Sequence, residues 1–314
     1  MAQQNTFSVV ITSYGVGNLV ERAVESVKNQ TLDAVETVVV DDASQDEETL
    51  RSLLALEGKV RIERLEGRQG VGTARNRGME LTEAPYVLCL DGDDWIEPGY
   101  LEKAASIFEN QPEIGIVSSW VRFAGERRGE WKPVNFDLDE ILASNRIHSG
   151  STFRRSASEA VGHYEAGFGG YEDWEHWISM TAGGWGAHVI SEILLHYEIR
   201  PSGLGRRSDS SARELVESIV AKHQDLYRER MGRLLAIKHE MVIALEAETR
   251  RAWARGEAVE EDLQQAWSIS RELGDKLEKQ GCGIGDLERK LGEYQDYVRH
   301  LEGDAAAASS GDNT

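Results

Sequence analysis

The sequence predicts an α/β layer built on a mainly parallel sheet and followed by a helical region. Short apolar runs of strand length alternate with helical patterns early in the chain, and that alternation marks an α/β layer. From about Ser210 the composition shifts to Glu, Arg, Ala, Leu and Lys without strand-like runs. A third observation places chemistry on this frame. The acidic stretch Leu90-Asp91-Gly92-Asp93-Asp94-Trp95 falls where one apolar run ends.

Phe7 to Thr12 reads as a buried strand, Ser13 to Asn18 as a loop, and Leu19 to Gln30 as a helix with Leu19, Ala23, Val24 and Val27 apolar. Val35 to Val40 is a second strand, ending abruptly in Asp41-Asp42-Ala43-Ser44. Thr49 to Leu56 is a short helix, and a third strand lies around Val60 to Leu65. The glycine-punctuated stretch Gly67 to Gly72 leads into a helix from Thr73 to about Leu81. Tyr86 to Leu90, introduced by Pro85, is β-branched, aromatic and aliphatic, as a buried strand should be. In parallel sheets ligands bind beyond the carboxyl ends of the strands. Thr12, Asp42 and Asp91 to Asp94 all fall there.

Next come a helix from Leu101 to Phe108, a strand from Ile114 to Ser118, a polar excursion from Arg122 to Lys132, and a helix from Phe136 to Ala143. That helix enters the segment Arg146 to Arg155, which contains His148. Gly167 to Gly170 is a loose loop ahead of a helix that opens at Tyr171-Glu172-Asp173-Trp174 and runs to about Ala182. Alone, Asp173 has the position of a helix cap. Ala187 to Leu195 is a further strand, and Arg200 to Arg207 a loop with three arginines. Beyond them, Val259, Leu263, Ala266, Ser270, Leu273 and Leu277 alternate by four and three, and Ile284 to Leu301 continue the pattern. Such a seam fits a helical hairpin or a coiled-coil homodimer, with Gly281, Gly283 and Gly285 as its break.

Composition narrows the function. The chain has 314 residues, 40% of them hydrophobic, which is ample for a core. Its formal charge of -20 argues against a nucleic-acid binder or a protein drawn to anionic lipid. Cys89 and Cys282 form no CxxC pair, so no zinc site is expected. No apolar run approaches the ~18 residues of a membrane span, and no basic stretch precedes an apolar core at the N-terminus. A cytoplasmic protein is expected.

Asp91, Asp93 and Asp94 bring three carboxylates into four residues. Clustered acids near a core are costly unless something positive neutralises them. Hard divalent ions such as Mn2+ or Mg2+ favour carboxylate oxygens, although a solvated acidic turn would read the same in isolation. Gly92 allows the turn to set Asp91 and Asp93 on one side.

Taken together, the ordered landmarks carry a resemblance. Val9-Val10-Ile11-Thr12-Ser13-Tyr14, Glu25-Ser26-Val27-Lys28-Asn29-Gln30-Thr31, Val39-Val40-Asp41-Asp42-Ala43-Ser44, Gly72-Thr73-Ala74-Arg75-Asn76-Arg77-Gly78, Leu90-Asp91-Gly92-Asp93-Asp94 and Glu172-Asp173-Trp174 resemble a family-2 glycosyltransferase. The resemblance implies the GT-A fold, a Rossmann-like mixed sheet, over residues 1–209; it does not cover the helical accessory region that composition and heptad spacing predict over 210–302, nor the tail over 303–314, whose composition predicts disorder. It further implies an inverting transfer from a nucleotide sugar, expected to be a UDP-sugar, to a glycan, small-molecule or protein acceptor. Thr12 and Asp42 would contact the base, and Arg75 and Asn76 would approach the nucleotide. Asp91 and Asp93 would hold the metal, and Asp173 would deprotonate the acceptor hydroxyl. Glu172, Trp174 and His148 are expected on the acceptor side or in support of the base.

The chain departs from the family after its last core strand. There it reads His196-Tyr197-Glu198-Ile199-Arg200, with Glu198 where arginine is common and Arg200 retained. His196 as a metal ligand is therefore in doubt, and Arg200 is a candidate to hold the diphosphate. Gly15-Val16-Gly17 imitates a dinucleotide fingerprint, but Val20 stands where a third small residue belongs. A non-catalytic scaffold presenting the helical tail is the alternative from another class.

Overall fold

The computed structural model describes residues 6–166, 168–200 and 212–254. Strand β1 (Phe7–Ser13) is buried along its whole length. Its side chains alternate between the two faces of the sheet, so Phe7, Val9 and Ile11 enter one apolar layer while Val10 enters the other. Two parallel neighbours flank it, β2 (Val35–Asp41) and β4 (Tyr86–Asp91). The register sets Thr12 opposite both Val40 and Asp91, and Ser13 opposite Asp41. One shelf at the carboxyl ends thus holds Thr12, Asp41 and Asp91.

β3 (Arg61–Arg64) extends the parallel part beyond β2. Past β4 the sheet becomes mixed: β8 (Thr152–Arg154) is antiparallel, then come β6 (Ile114–Gly125), β9 (Gly186–Ile199) and the short β5 (Trp95–Ile96). Among the described residues the sheet has nine strands, the last being β7 (Gly129–Trp131), which pairs with β6. Helices α1 (Leu19–Lys28), α2 (Glu47–Leu56) and α4 (Tyr100–Asn110) bury one face. The other face is covered by α3 (Val71–Glu80), α5 (Leu138–Ala143), α6 (Arg155–Val161) and α7 (Glu172–Ala182). Helices α8 (Ala212–Lys222) and α9 (Gln224–Ala254) follow, and their Ile219 and Leu234 join the second layer.

Glycine sets how closely α3 approaches the sheet. A Cβ at Gly78 would lie 2.1 Å from Cγ1 of Val10, so only a bare backbone fits against β1. Arg75 lies three residues earlier on the same helix, on the same face. Close packing at Gly78 therefore sinks Arg75 beneath the strand ends.

Several local expectations change. The polar stretch from Arg122 is the end of β6 and a hairpin to β7, because a strand with an exposed face carries polar residues there. β9 runs on to Ile199, beyond the expected Leu195. β5, β8 and α6 are too short to announce themselves by periodicity. Asp173 is not a cap: Tyr171, in the left-handed region at φ 60°, is the N-cap of α7, and Asp173 sits in the first turn. The heptad seam from Val259 to Leu301, the tail and Arg206 and Arg207 lie outside the described residues. The chain forms two compact units, Met1–Ile237 and Lys238–Thr314. No described helix is long and apolar enough to cross a membrane.

α8 is fastened to α7 by charge. The Glu175 side chain, 1% exposed, accepts from Lys222 and His223 at 2.9 Å each and from Ser179 Oγ at 2.7 Å. Burial alone would raise its pKa, but these donors outweigh it and hold the carboxyl at about 2. A depressed carboxylate stabilises the fold above its unfolded pKa, and that contribution vanishes as pH falls through the folded value. Glu175→Gln is therefore expected to cost about 2 kcal/mol at pH 7, allowing for screening of the partly exposed Lys222. In denaturant titrations the gap from wild type should close as pH falls from 4.5 towards 2. A gap independent of pH would show that packing, not charge, is lost.

Candidate active site

At the end of β4 the chain makes a tight turn in which Asp94 N–H donates to the Asp91 carbonyl at 2.9 Å. Gly92 is required for it. Its N–H donates to the Thr12 carbonyl at 2.8 Å, and a Cβ there would lie 2.6 Å from that same oxygen. The turn spreads the three acids into different surroundings. Asp91 Oδ1 accepts from Thr12 Oγ1 at 3.0 Å and from Arg75 at 2.9 Å, while Oδ2 accepts from Ser149 Oγ at 3.2 Å. Burial raises its pKa, yet Arg75 outweighs burial and keeps the carboxyl below the usual range.

Asp93 accepts from Arg200 Nε at 2.7 Å, and its carbonyl accepts from Arg22. Burial still raises the Asp93 carboxyl, with Arg200 opposing and Asp91 adding to the rise. Asp94 is fully buried; one oxygen accepts from Glu198 N–H at 2.9 Å and the other has no hydrogen-bond partner. Burial, then Asp93 and Asp91, push its carboxyl well above the carboxylate range. His148 Nε2 lies 3.6 Å from Asp94, and its Nδ1 accepts from Gly150 N–H at 3.0 Å, which leaves the ring proton on Nε2. Burial lowers this imidazole to about 4, so it is neutral at pH 7.

The second acidic pair opens α7. Glu172 is 4% exposed and accepts from Arg75 at 2.8 Å. Asp173, half-buried, accepts from Asn145 Nδ2 at 3.2 Å. Burial raises both carboxyls, against the lowering effect of Arg75. Glu172 thus turns inward and Asp173 keeps an open side.

Other expected residues have defined places. Asp42 accepts from the N–H groups of Gln69 at 2.6 Å and Gly70 at 2.8 Å, pinning the glycine-rich loop. Asn76 spends both ends of its amide on the Tyr164 backbone, at 2.7 and 3.0 Å, and Arg75 is 2% exposed. The hydrogen bonds of both side chains thus go to protein partners, Asp91 and Glu172 for Arg75 and the Tyr164 backbone for Asn76. Trp174 is buried with its indole N–H donating to the Ile141 carbonyl at 2.6 Å, so it belongs to the core and not to the acceptor side. His196 bonds to Glu97 at 2.6 Å and stacks on Trp95. Sequence reasoning missed Ser149, Asn145 and Arg22, whose nearest signal was the polar segment ahead of β8 for the first two.

Among the described residues no group of three or more His, Cys, Asp or Glu is arranged to hold a metal ion. Asp91 and Asp93 nevertheless supply hard oxygens, and one oxygen of the adjacent Asp94 has no partner. That donor set fits an ion bound by one or two carboxylates and completed by phosphate oxygens and water. It does not fit a cage built from protein alone.

The family model "Glycosyl transferase family 2" matches residues 8–170, just over half of the chain. The chain belongs to this family. It is a glycosyltransferase. Among its relatives is the uncharacterized glycosyltransferase YwdF of Bacillus subtilis, 26% identical over 80% of this chain and 94% of the relative. The uncharacterized glycosyltransferase MJ1057 of Methanocaldococcus jannaschii is 26% identical over 61% of this chain and 70% of its own. The fold is the GT-A arrangement. It is shared with S. aureus TarS 1-349 in complex with UDP-GlcNAc, at a TM-score of 0.59 and 19% identity, covering 69% of this chain and 66% of that one. It is shared too with the mannosyltransferase PcManGT of Pyrobaculum calidifontis in complex with GDP-Man and Mn2+, at 0.54 and 17%, covering 87% and 85%.

Asp42→Asn leaves one acceptor oxygen for two N–H donors. Hydrogen exchange at Gln69 and Gly70 is expected to quicken about tenfold, the worth of one lost hydrogen bond. Unchanged exchange would mean that the loop is held by other contacts.

Proposed function

We propose that this glycosyltransferase moves a sugar from a nucleoside-diphosphate donor, a UDP-sugar, to an acceptor hydroxyl with inversion. The supporting observation is the division of acids into two sites, Asp91 and Asp93 at the strand ends and Asp173 at the opening of α7. The solved relatives that hold UDP-GlcNAc or GDP-Man with Mn2+ support a nucleotide sugar as donor. Catalysis is assigned to residues 1–209. Asp91 and Asp93 would hold Mn2+ or Mg2+, which when bound stabilises the charge of the departing diphosphate. Arg200, on Asp93, is positioned to place a guanidinium beside the same phosphates.

Asp173 takes the acceptor proton. A hydroxyl is a poor nucleophile until a base removes its proton in the transition state, and a single base suffices for direct displacement. Burial raises this carboxyl above its ordinary value, which strengthens it as a base. Asn145 orients it by donating to Oδ2. The acceptor is a hydroxyl-bearing glycan, small molecule or protein.

Two substitutions test the division of labour. Asp173→Asn keeps shape but accepts no proton, so kcat should fall about 10²–10⁴-fold with donor binding retained. Transfer near the wild-type rate would remove Asp173 as the base. Asp93→Ala should abolish the gain in UDP affinity that Mn2+ confers, read by calorimetry with and without the metal. A gain equal to that of wild type would take Asp93 out of the metal site.

A further inference from the structure

Arg75 is among the largest fully buried side chains of the molecule. Burying a guanidinium is costly unless it is paired, and here it is paired twice. One terminal nitrogen donates to Asp91 Oδ1 at 2.9 Å, at the end of β4, and the other to Glu172 Oε1 at 2.8 Å, at the start of α7. Its Nε is buried without a partner, as are Glu172 Oε2 and the Tyr164 hydroxyl. The Tyr164 ring lies 5.3 Å from the guanidinium carbon. No face of Arg75 is open to a ligand. Asn76, its neighbour on α3, holds Tyr164 by two backbone hydrogen bonds.

We propose that Arg75 and Glu172 are positioning residues that fix the base helix to the donor-side strand. The inference rests on the proposed roles of Asp91 and Asp173. Arg75 is 16 residues from Asp91 and 97 from Glu172, so the two carboxylates it joins lie far apart along the chain and no local turn sets the distance between them. One rigid planar fork does so, with Glu172 directly preceding Asp173. Donor carbon and acceptor oxygen must meet within a fraction of an ångström, and a misplacement of about 1 Å can cost on the order of 100-fold in rate. A lysine cannot replace the fork, because a single ammonium has no fixed plane with which to hold two carboxylates apart.

The test is a set of variants on the full chain: Arg75→Lys, Glu172→Gln, Glu172→Ala and the double variant Arg75→Lys/Glu172→Gln. Thermal melts establish which of them fold, and initial rates give kcat and the KM for donor and acceptor. For Arg75→Lys, kcat should fall about 100-fold while donor KM moves by less than about threefold. Glu172→Gln retains an oxygen that accepts from Arg75, so it should lose less activity than Glu172→Ala. The double variant should lose little more than Arg75→Lys alone, since residues acting through one contact are not additive. A rise in donor KM with kcat spared would make Arg75 a nucleotide ligand and overturn the proposal. Equal losses for Glu172→Gln and Glu172→Ala, or fully additive losses in the double variant, would overturn it as well. Should Arg75→Lys not fold, the two Glu172 variants decide alone. Asp173→Asn run in parallel separates the two readings: if it remains active the base assignment fails, and if it is inactive any failure belongs to the strut.

Discussion

One buried guanidinium holds together a site that would otherwise repel itself. Asp91, Asp93, Asp94, Glu172 and Asp173 converge where β1, β4 and α7 meet, and a low-dielectric setting penalises every charge among them. Arg75 compensates two of them directly, and Arg200 a third. The remainder shows in the raised carboxyls of Asp94 and Asp173. Such a cluster has room for more positive charge, and its position beyond the strand ends leaves that room on the ligand side. Within the family to which the chain belongs, this is where the donor's diphosphate and its cation would supply it.

The fold serves this charge arrangement through close backbone approaches. Gly78 brings α3 hard against Val10, which seats Arg75 below the strand ends. Gly92 brings the acidic turn onto the Thr12 carbonyl. Each contact excludes even a methyl group. The α7 side is secured separately, by Glu175 reaching Lys222 and His223 beyond the sheet domain's last strand. The first turn of α7 therefore carries one acid turned into the protein, one turned to the open side, and a third tied to α8.

Much of this was legible in the sequence because its causes are local. Apolar runs of strand length gave β1, β2 and β4, and the acids that end β2 and β4 gave the ligand end of the sheet. The family landmarks gave the fold and the candidate acids. What could not be read depends on partners far along the chain. Arg75 belongs to a motif expected near the nucleotide, and only the packing of α3 shows that it bonds two carboxylates. Trp174 sits in the same string as Asp173, yet helical geometry turns it into the core. The β6–β7 hairpin was hidden because strands with a wet face carry the composition of loops. Asp94 differs from Asp91 and Asp93 by its full burial and the lack of an arginine partner, which no spacing reports.

The central claim is that the acids at the end of β4 form a cation and diphosphate site. Crystals grown with UDP and Mn2+, with anomalous diffraction used to locate the manganese, test it directly. The expected result is one strong peak bonded to Asp91 or Asp93 and to the diphosphate, with Asp173 across the sugar pocket. Nucleotide bound at the strand ends with no anomalous peak at these carboxylates, or bound elsewhere, would contradict it.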